Sequence, residues 1–161
     1  MKIKEIEKTA KDVLEKIGHH SPQVMFMHNG KMNINILKFE NEIEKRAMLL
    51  GLRKIIHKHK ITSYCTIMEA WMSIREGDSK TPYVRPKNDP DRKQALIITI
   101  FNKDLTFETS MNIFEKDGDK IKWLERKHET RKEFKEYYSP WNVYLEDSPD
   151  IDEYINKRLG K

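Results

Sequence analysis

The chain is poor in the residues from which common catalytic and structural signatures are built. It has one cysteine, Cys65, in 161 residues. That excludes an intramolecular disulfide and suits a reducing cytoplasm. Its six glycines are scattered, and none opens a helix after a strand, so there is no phosphate-cradling loop. No serine stands in a nucleophile-elbow pattern. No apolar run approaches the roughly 20 residues that a membrane-spanning helix needs. The opening segment, MKIKEIEKTAKDVLEKIG, mixes acids and bases where a secretory signal must be apolar. A cytoplasmic protein without membrane association is expected.

Metal and cofactor signatures are absent as well. Six histidines are present, at 19, 20, 28, 57, 59 and 128. None has an acidic or cysteine partner at a zinc-motif spacing, and His57 and His59 would diverge on a helix. Cys65 stands mid-strand among apolar neighbours, the setting of an inert small hydrophobe rather than a nucleophile. No metal and no cofactor are expected.

What is present is charge and periodicity. Charged residues make up 35% and hydrophobic residues 37%, a balance that supports a folded core and argues against disorder. The net charge of +5 is uneven: residues 1–60 carry +6, residues 61–115 carry −1 and residues 116–161 are neutral. Lysines and glutamates interleave in the basic third, as they do on a solvated helix face, whereas a nucleic-acid footprint clusters its basic residues.

Ile3, Ile6, Ala10, Val13, Leu14 and Ile17 fall at helical spacing, and Gly18 offers a left-handed stop. QVMFMH and KMNINIL flank Asn29-Gly30, the pair favoured in two-residue type I′ turns. Pairing outward from that turn sets Met27 opposite Met32 and Met25 opposite Ile34. Val24 and Phe26 share the other face with Asn35 and Asn33. The Met/Ile face is the better core candidate. Residues 40–59 read as a second helix with a stripe of Ile43, Ala47, Met48, Gly51, Leu52 and Ile55. Gly51 there costs up to about 1 kcal/mol relative to alanine, which a close approach of helix to sheet would explain.

From Ile61 to Arg75 the chain alternates as a strand that is apolar on both faces, the mark of an interior strand. KQALIITIF and LTFETSMNIF follow. In the latter, Glu108, Ser110 and Asn112 occupy the solvent face. Asp117-Gly118 then turns the chain into KIKWLE. After Glu125 the apolar signal fades, and RKHETRKEFKEYY reads as a surface helix or irregular chain. SPDIDEYINKRLGK has the cap and charge order of a short terminal helix. The expected architecture is α+β: an antiparallel sheet of about five strands, built from an N-terminal hairpin and a three-stranded meander, with helices packed on one face. One domain spans 1–161, with a core of about 1–125 and a charged extension of about 126–161.

One stretch combines unusual residues, MEAWMSIREGDSKTPYVRPKNDPDRKQAL, from Met68 to Leu96. Glu69 and Trp71 lie two apart and share a strand face. Arg85, Asp91 and Arg92 stand across a proline-bearing loop of ~16 residues, a length that is often functional. A structural reading pairs Glu69 with Arg92 or Arg85 to hold the loop in place. A functional reading makes Trp71 the floor of a shallow pocket, with Glu69 and the arginines as its polar groups. The positions Glu69, Ala70, Trp71, Pro86, Pro90, Arg92, Ala95 and Leu96 resemble a pattern in uncharacterised prokaryotic and phage-associated small proteins. There an E-A-W strand precedes a P-x-x-x-P-x-R-x-x-A-L run. The resemblance covers roughly 30 residues and implies no activity.

Three functional readings follow. The first is a non-enzymatic interaction module acting on a protein partner or as a homo-oligomer, with Tyr137, Tyr138, Trp141 and Tyr144 as exposed aromatics. The second is nucleic-acid binding through Lys2, Lys4, Lys8, Lys11 and Lys54. The third is an enzyme or small-ligand binder at the 69–92 region, with Glu69 as base and the arginines holding an anion.

Overall fold

The computed structural model describes residues 1–73, 86–132 and 143–144. Helix α1 (Ile3–Ile17) ends where Gly18, at φ +85°, donates its N–H to Leu14 O at 2.8 Å. Strands β1 (Gln23–His28) and β2 (Lys31–Ile36) follow. Asn29 and Gly30 both have positive φ, 52° and 72°, as a type I′ turn requires. The register is the one expected, Met27 opposite Met32 and Met25 opposite Ile34.

Helix α2 (Glu42–Lys58) starts at an N-cap, Asn41, whose side chain accepts the Glu44 N–H at 2.9 Å. The Glu44 carboxylate reaches back to the Glu40 N–H at 2.7 Å. The first bond satisfies a donor that the helix leaves orphaned, and the second ties down the chain entering it. Strand β3 (Ser63–Met72), a short 3-10 turn at Pro86–Asn88, and strands β4 (Lys93–Asn102), β5 (Thr106–Asp117) and β6 (Lys120–Lys132) complete the described chain. All pairings are antiparallel, in the order β2-β1-β3-β4-β5-β6. The fold is α+β with six strands rather than about five. The last turn is Gly118-Asp119, one residue later than expected, because Asp117 pairs with Lys120.

The helices lie on both faces, not one. On the first face, α1 sets Ile3, Ala10 and Leu14 against Cys65, Ile67, Leu96, Ile98, Ile100 and Phe114. On the second, Leu52 and Ile56 of α2 join Val24, Phe26, Tyr64, Phe101, Phe107 and Val143. Tyr64 and Cys65 are chain neighbours in different clusters, so the two clusters are the two sides of one pleated strand. This explains why β3 and β4 are apolar at nearly every position.

The hairpin's inward face is also the reverse of the expected one. Val24 and Phe26 are buried, whereas Met27, Met32, Ile34 and Ile36 are 45%, 44%, 57% and 61% exposed. Leu37, Ile61 and α2 claim Val24 and Phe26, while α1 contacts β4, β5 and β6 and leaves the far side of the hairpin bare except for Met25, which packs against the α1-side cluster. In α2 the buried residues are Leu52 and Ile56, and Ile55 and Gly51 are exposed. Nothing lies within 4 Å of a methyl group added at Gly51, so no close approach accounts for that glycine. Gly51→Ala is expected to stabilise the protein by about 0.5–1 kcal/mol, read as a higher urea midpoint with an unchanged slope.

β6 corrects the reading of the charged stretch. It continues through Lys132, seven residues beyond Glu125. It is an outer strand of the described sheet, and from Glu125 to Lys132 every residue is exposed. With neither face committed to a core, it carries no period-2 apolar signal. The expected terminal helix at 148–161 lies outside the described residues.

Candidate functional site

Glu69 and Trp71 stand on the α1 side of β3, beside Leu96 and Gln94 of β4. Glu69 accepts the backbone N–H of His20, in the connection after α1. Trp71 is half-exposed, and the Arg92 guanidinium lies over its ring at 4.3 Å from the centroid, a cation–π contact. The expected Glu69–Arg92 ion pair is therefore not formed. Each has a different partner, and Arg85 lies outside the described residues.

Asp89 holds this region together. It is buried and accepts from the Ser73 hydroxyl at the end of β3 and from the Asp91 N–H at 2.9 Å. Its carbonyl accepts the Arg92 N–H at 3.3 Å. Asp91 is itself exposed. The Ser-to-Asp bond joins one end of the long loop to the other. The carboxylate needed for it was the Asp of Asn-Asp-Pro, a common turn residue. Glu69, Trp71, Asp91 and Arg92 are thus brought into one neighbourhood, but the carboxylates of Glu69 and Asp89 there are already hydrogen-bonded to backbone.

The lysines of the nucleic-acid reading do not gather on one surface. Lys4, Lys8 and Lys11 belong to α1 and Lys54 to α2, on opposite sides of the sheet. Lys11 is partly buried, 3.3 Å from Glu7 and 4.7 Å from the centre of the Trp123 ring. Burial pushes the Cys65 thiol up to about 12, so it stays protonated and unreactive at neutral pH. Among the described residues no group of three or more His, Cys, Asp or Glu is placed to hold a metal.

Two features went unread in the sequence. One lies beneath α1. Glu7 is buried in the apolar stripe, between Ile3 and Ala10. Its carboxylate takes Arg126 Nε at 3.0 Å, Arg126 Nη2 at 3.0 Å and the Ser110 hydroxyl at 2.6 Å. Asn112 Nδ2 donates to Ser110 Oγ at 3.0 Å. Ser110 and Asn112 are thus fully buried, not on a solvent face. Burial by itself raises the Glu7 carboxyl, but the bonds from Arg126 and Ser110 and the charge of Lys11 outweigh it and hold the group below its ordinary value of 4.5. A bulge shifts the β5–β6 register after Ile113, opposite Leu124. Beyond it, Trp123 Nε1 donates to Glu15 of α1 at 2.7 Å.

The other feature is the bare side of the hairpin. Met27, Met32, Ile34 and Ile36 share one face of β1 and β2, and all are exposed. Between them and α1 runs a groove of about 220 Å³, lined by Ile6, Ala10, Val13, Met25, Ile34 and Ile67 among others. Isolated exposed apolar residues are ordinary, but a contiguous apolar face is the usual mark of a contact surface. The signal was in the sequence as a choice between two hairpin faces.

Comparison with known proteins finds a match between residues 1–151 and the family model described as bacteriophage lambda protein ea47. The matched span includes the whole Met68–Leu96 stretch. No curated protein matches, and no solved structure does.

Proposed function

Because the chain belongs to the bacteriophage lambda protein ea47 family, a phage family with no known activity, we propose on its geometry that it is a non-enzymatic interaction module. The observation that carries this reading is the exposed Met27/Met32/Ile34/Ile36 face running into the apolar groove beside α1. Burying such a face gains roughly 25 cal/mol per Å² of apolar surface, so leaving it bare forgoes stability that a partner recovers. The grouping at Glu69, Trp71, Asp91 and Arg92 adjoins the same side of the sheet. The reading makes it a structural support for the long loop. No helix among the described residues is long and apolar enough to cross a membrane.

The test is substitution on the bare face. Ile34→Glu combined with Ile36→Glu is expected to shift folding stability by no more than about 1 kcal/mol, since both side chains already meet water. The same pair is expected to weaken self-association or partner capture at least tenfold. Light scattering of the purified chain and affinity capture from host lysate, wild type against double variant, read this out. A wild-type monomer that captures nothing beyond the double variant's background would sink the proposal.

A further inference from the structure

The two outer strands of the sheet are built on opposite principles. An outer strand exposes unpaired backbone N–H and C=O groups, and proteins blunt it with charge, above all with lysine. β6 follows that rule along its length: Lys120, Lys122, Glu125, Arg126, Lys127, Glu129, Arg131 and Lys132 all lie on it. β2 does not. Its central run, Met32-Asn33-Ile34-Asn35-Ile36, carries no charge. Among the described residues its one strand neighbour is β1, and its three apolar side chains fall at every second position on the exposed face.

Along the chain, the segment that holds β2 carries one sign. From Lys16 to Phe39 there is no aspartate or glutamate, while Lys16, Lys31 and Lys38 and three histidines lie in that span. Lys31 opens β2 and Lys38 stands two residues past its end. The one acid lining the adjoining groove is Glu5, already paired with Lys2 at 3.6 Å. Lys31, on the opposite face with Asn33 and Asn35, and Lys38 flank this apolar row along the chain, which is complementary to a segment that is apolar at alternate positions and acidic at its flanks.

We propose that β2 is a docking edge for an extended, acid-flanked segment of a partner protein, added as a seventh strand antiparallel or parallel to β2. This rests on the interaction-module reading and specifies its partner. Main-chain bonds to the open edge supply affinity. The alternate side chains of the incoming strand extend the Met32/Ile34/Ile36 row, and its acids meet Lys31 and Lys38. A helix would use the apolar row but not the unpaired backbone. An anionic membrane would use the lysines and the row, again without the backbone. The spacing of the row at every second residue favours a strand.

The probe is a short fluorescent peptide alternating valine with threonine and ending in glutamates. Its controls are the same peptide with lysine ends, the glutamate peptide with N-methylated valines, and phosphatidylglycerol vesicles. Anisotropy with the full chain is expected to show the glutamate peptide binding at least tenfold more tightly than either control peptide. Added salt should weaken that binding, and Ile34→Glu should abolish it. Backbone amide shifts in NMR should concentrate in residues 31–36. Equal binding of the lysine or N-methylated peptide, shifts centred elsewhere, or binding to vesicles with none to the peptide would each overturn the strand-docking assignment. Capture of a partner lost on Ile34→Glu with Ile36→Glu would still leave the interaction-module reading standing in that event, so the two fail separately.

Discussion

Glu7→Ala is expected to destabilise the protein by about 2–3 kcal/mol, because it strips Arg126 and Ser110 of a shared partner beneath α1. The loss falls below that of a fully buried pair, since the Arg126 side chain is 38% exposed and can turn to water. Ser110 cannot, being wholly covered. The same carboxylate sets an acid limit. Its folded-state value lies below the ordinary 4.5, so the unfolded chain takes up its proton first as pH falls. The stabilisation is therefore complete above about 4.5 and is lost as pH drops through the lower folded-state value. Urea midpoints at neutral pH and in this acid window, for wild type and Glu7→Gln, check both points. The variant should start lower and lose less of its stability on acidification. A Glu7→Gln midpoint equal to wild type at neutral pH would show that the network contributes nothing net.

The larger effect is expected at Tyr64. Its side chain is fully buried, with its ring centroid 5.2 Å from Phe101 and 5.4 Å from Tyr144. Its hydroxyl accepts the Val143 N–H at 2.8 Å. Tyr64→Ala removes a large aromatic from the centre of the α2-side core and is expected to cost about 3–5 kcal/mol. Tyr64→Phe keeps the ring and loses the oxygen, leaving the Val143 N–H without that acceptor at a cost of about 1–2 kcal/mol. Chemical denaturation of the three proteins separates packing from hydrogen bonding. If the phenylalanine variant proved as unstable as the alanine one, the ring contacts would not be the source.

Much of this architecture was legible from local rules. Asn29-Gly30 fixed the hairpin register residue by residue, because a two-residue turn admits one pairing. Gly18 placed the end of α1 for the same kind of reason: it takes a backbone conformation that other residues avoid. Local rules do not decide which face of an element meets the core. For the hairpin, Val24/Phe26 and Met25/Met27/Ile34 were both apolar, and the choice was made by Leu37, just past β2, and by the more distant Ile61 and α2. The helices fell on opposite faces because β3 and β4 are apolar on both sides, a property of the whole sheet. The half of β6 beyond Glu125 escaped notice because an outer strand exposed on both faces has no pattern to display.

The candidate site followed the same division. The sequence drew attention to Glu69, Trp71, Asp91 and Arg92, and β3, β4 and the turn before β4 do bring them near one another. It could not apportion the bonds. Glu69 went to the backbone at His20, which is 49 residues away. Asp89 took the loop-closing role through Ser73. Glu7 was hidden for a different reason. A carboxylate at helical spacing among isoleucine and leucine reads as solvated unless its arginine, on β6, is already known to be there.

The unlike outer strands bear on stoichiometry. A sheet open at both edges can add neighbours without limit, as fibres do. Here one edge carries charge along its length and the other only Lys31 at its start, so the docking proposed at β2 gives strand addition a valence of one. The complex expected from that proposal is a closed pair rather than a polymer.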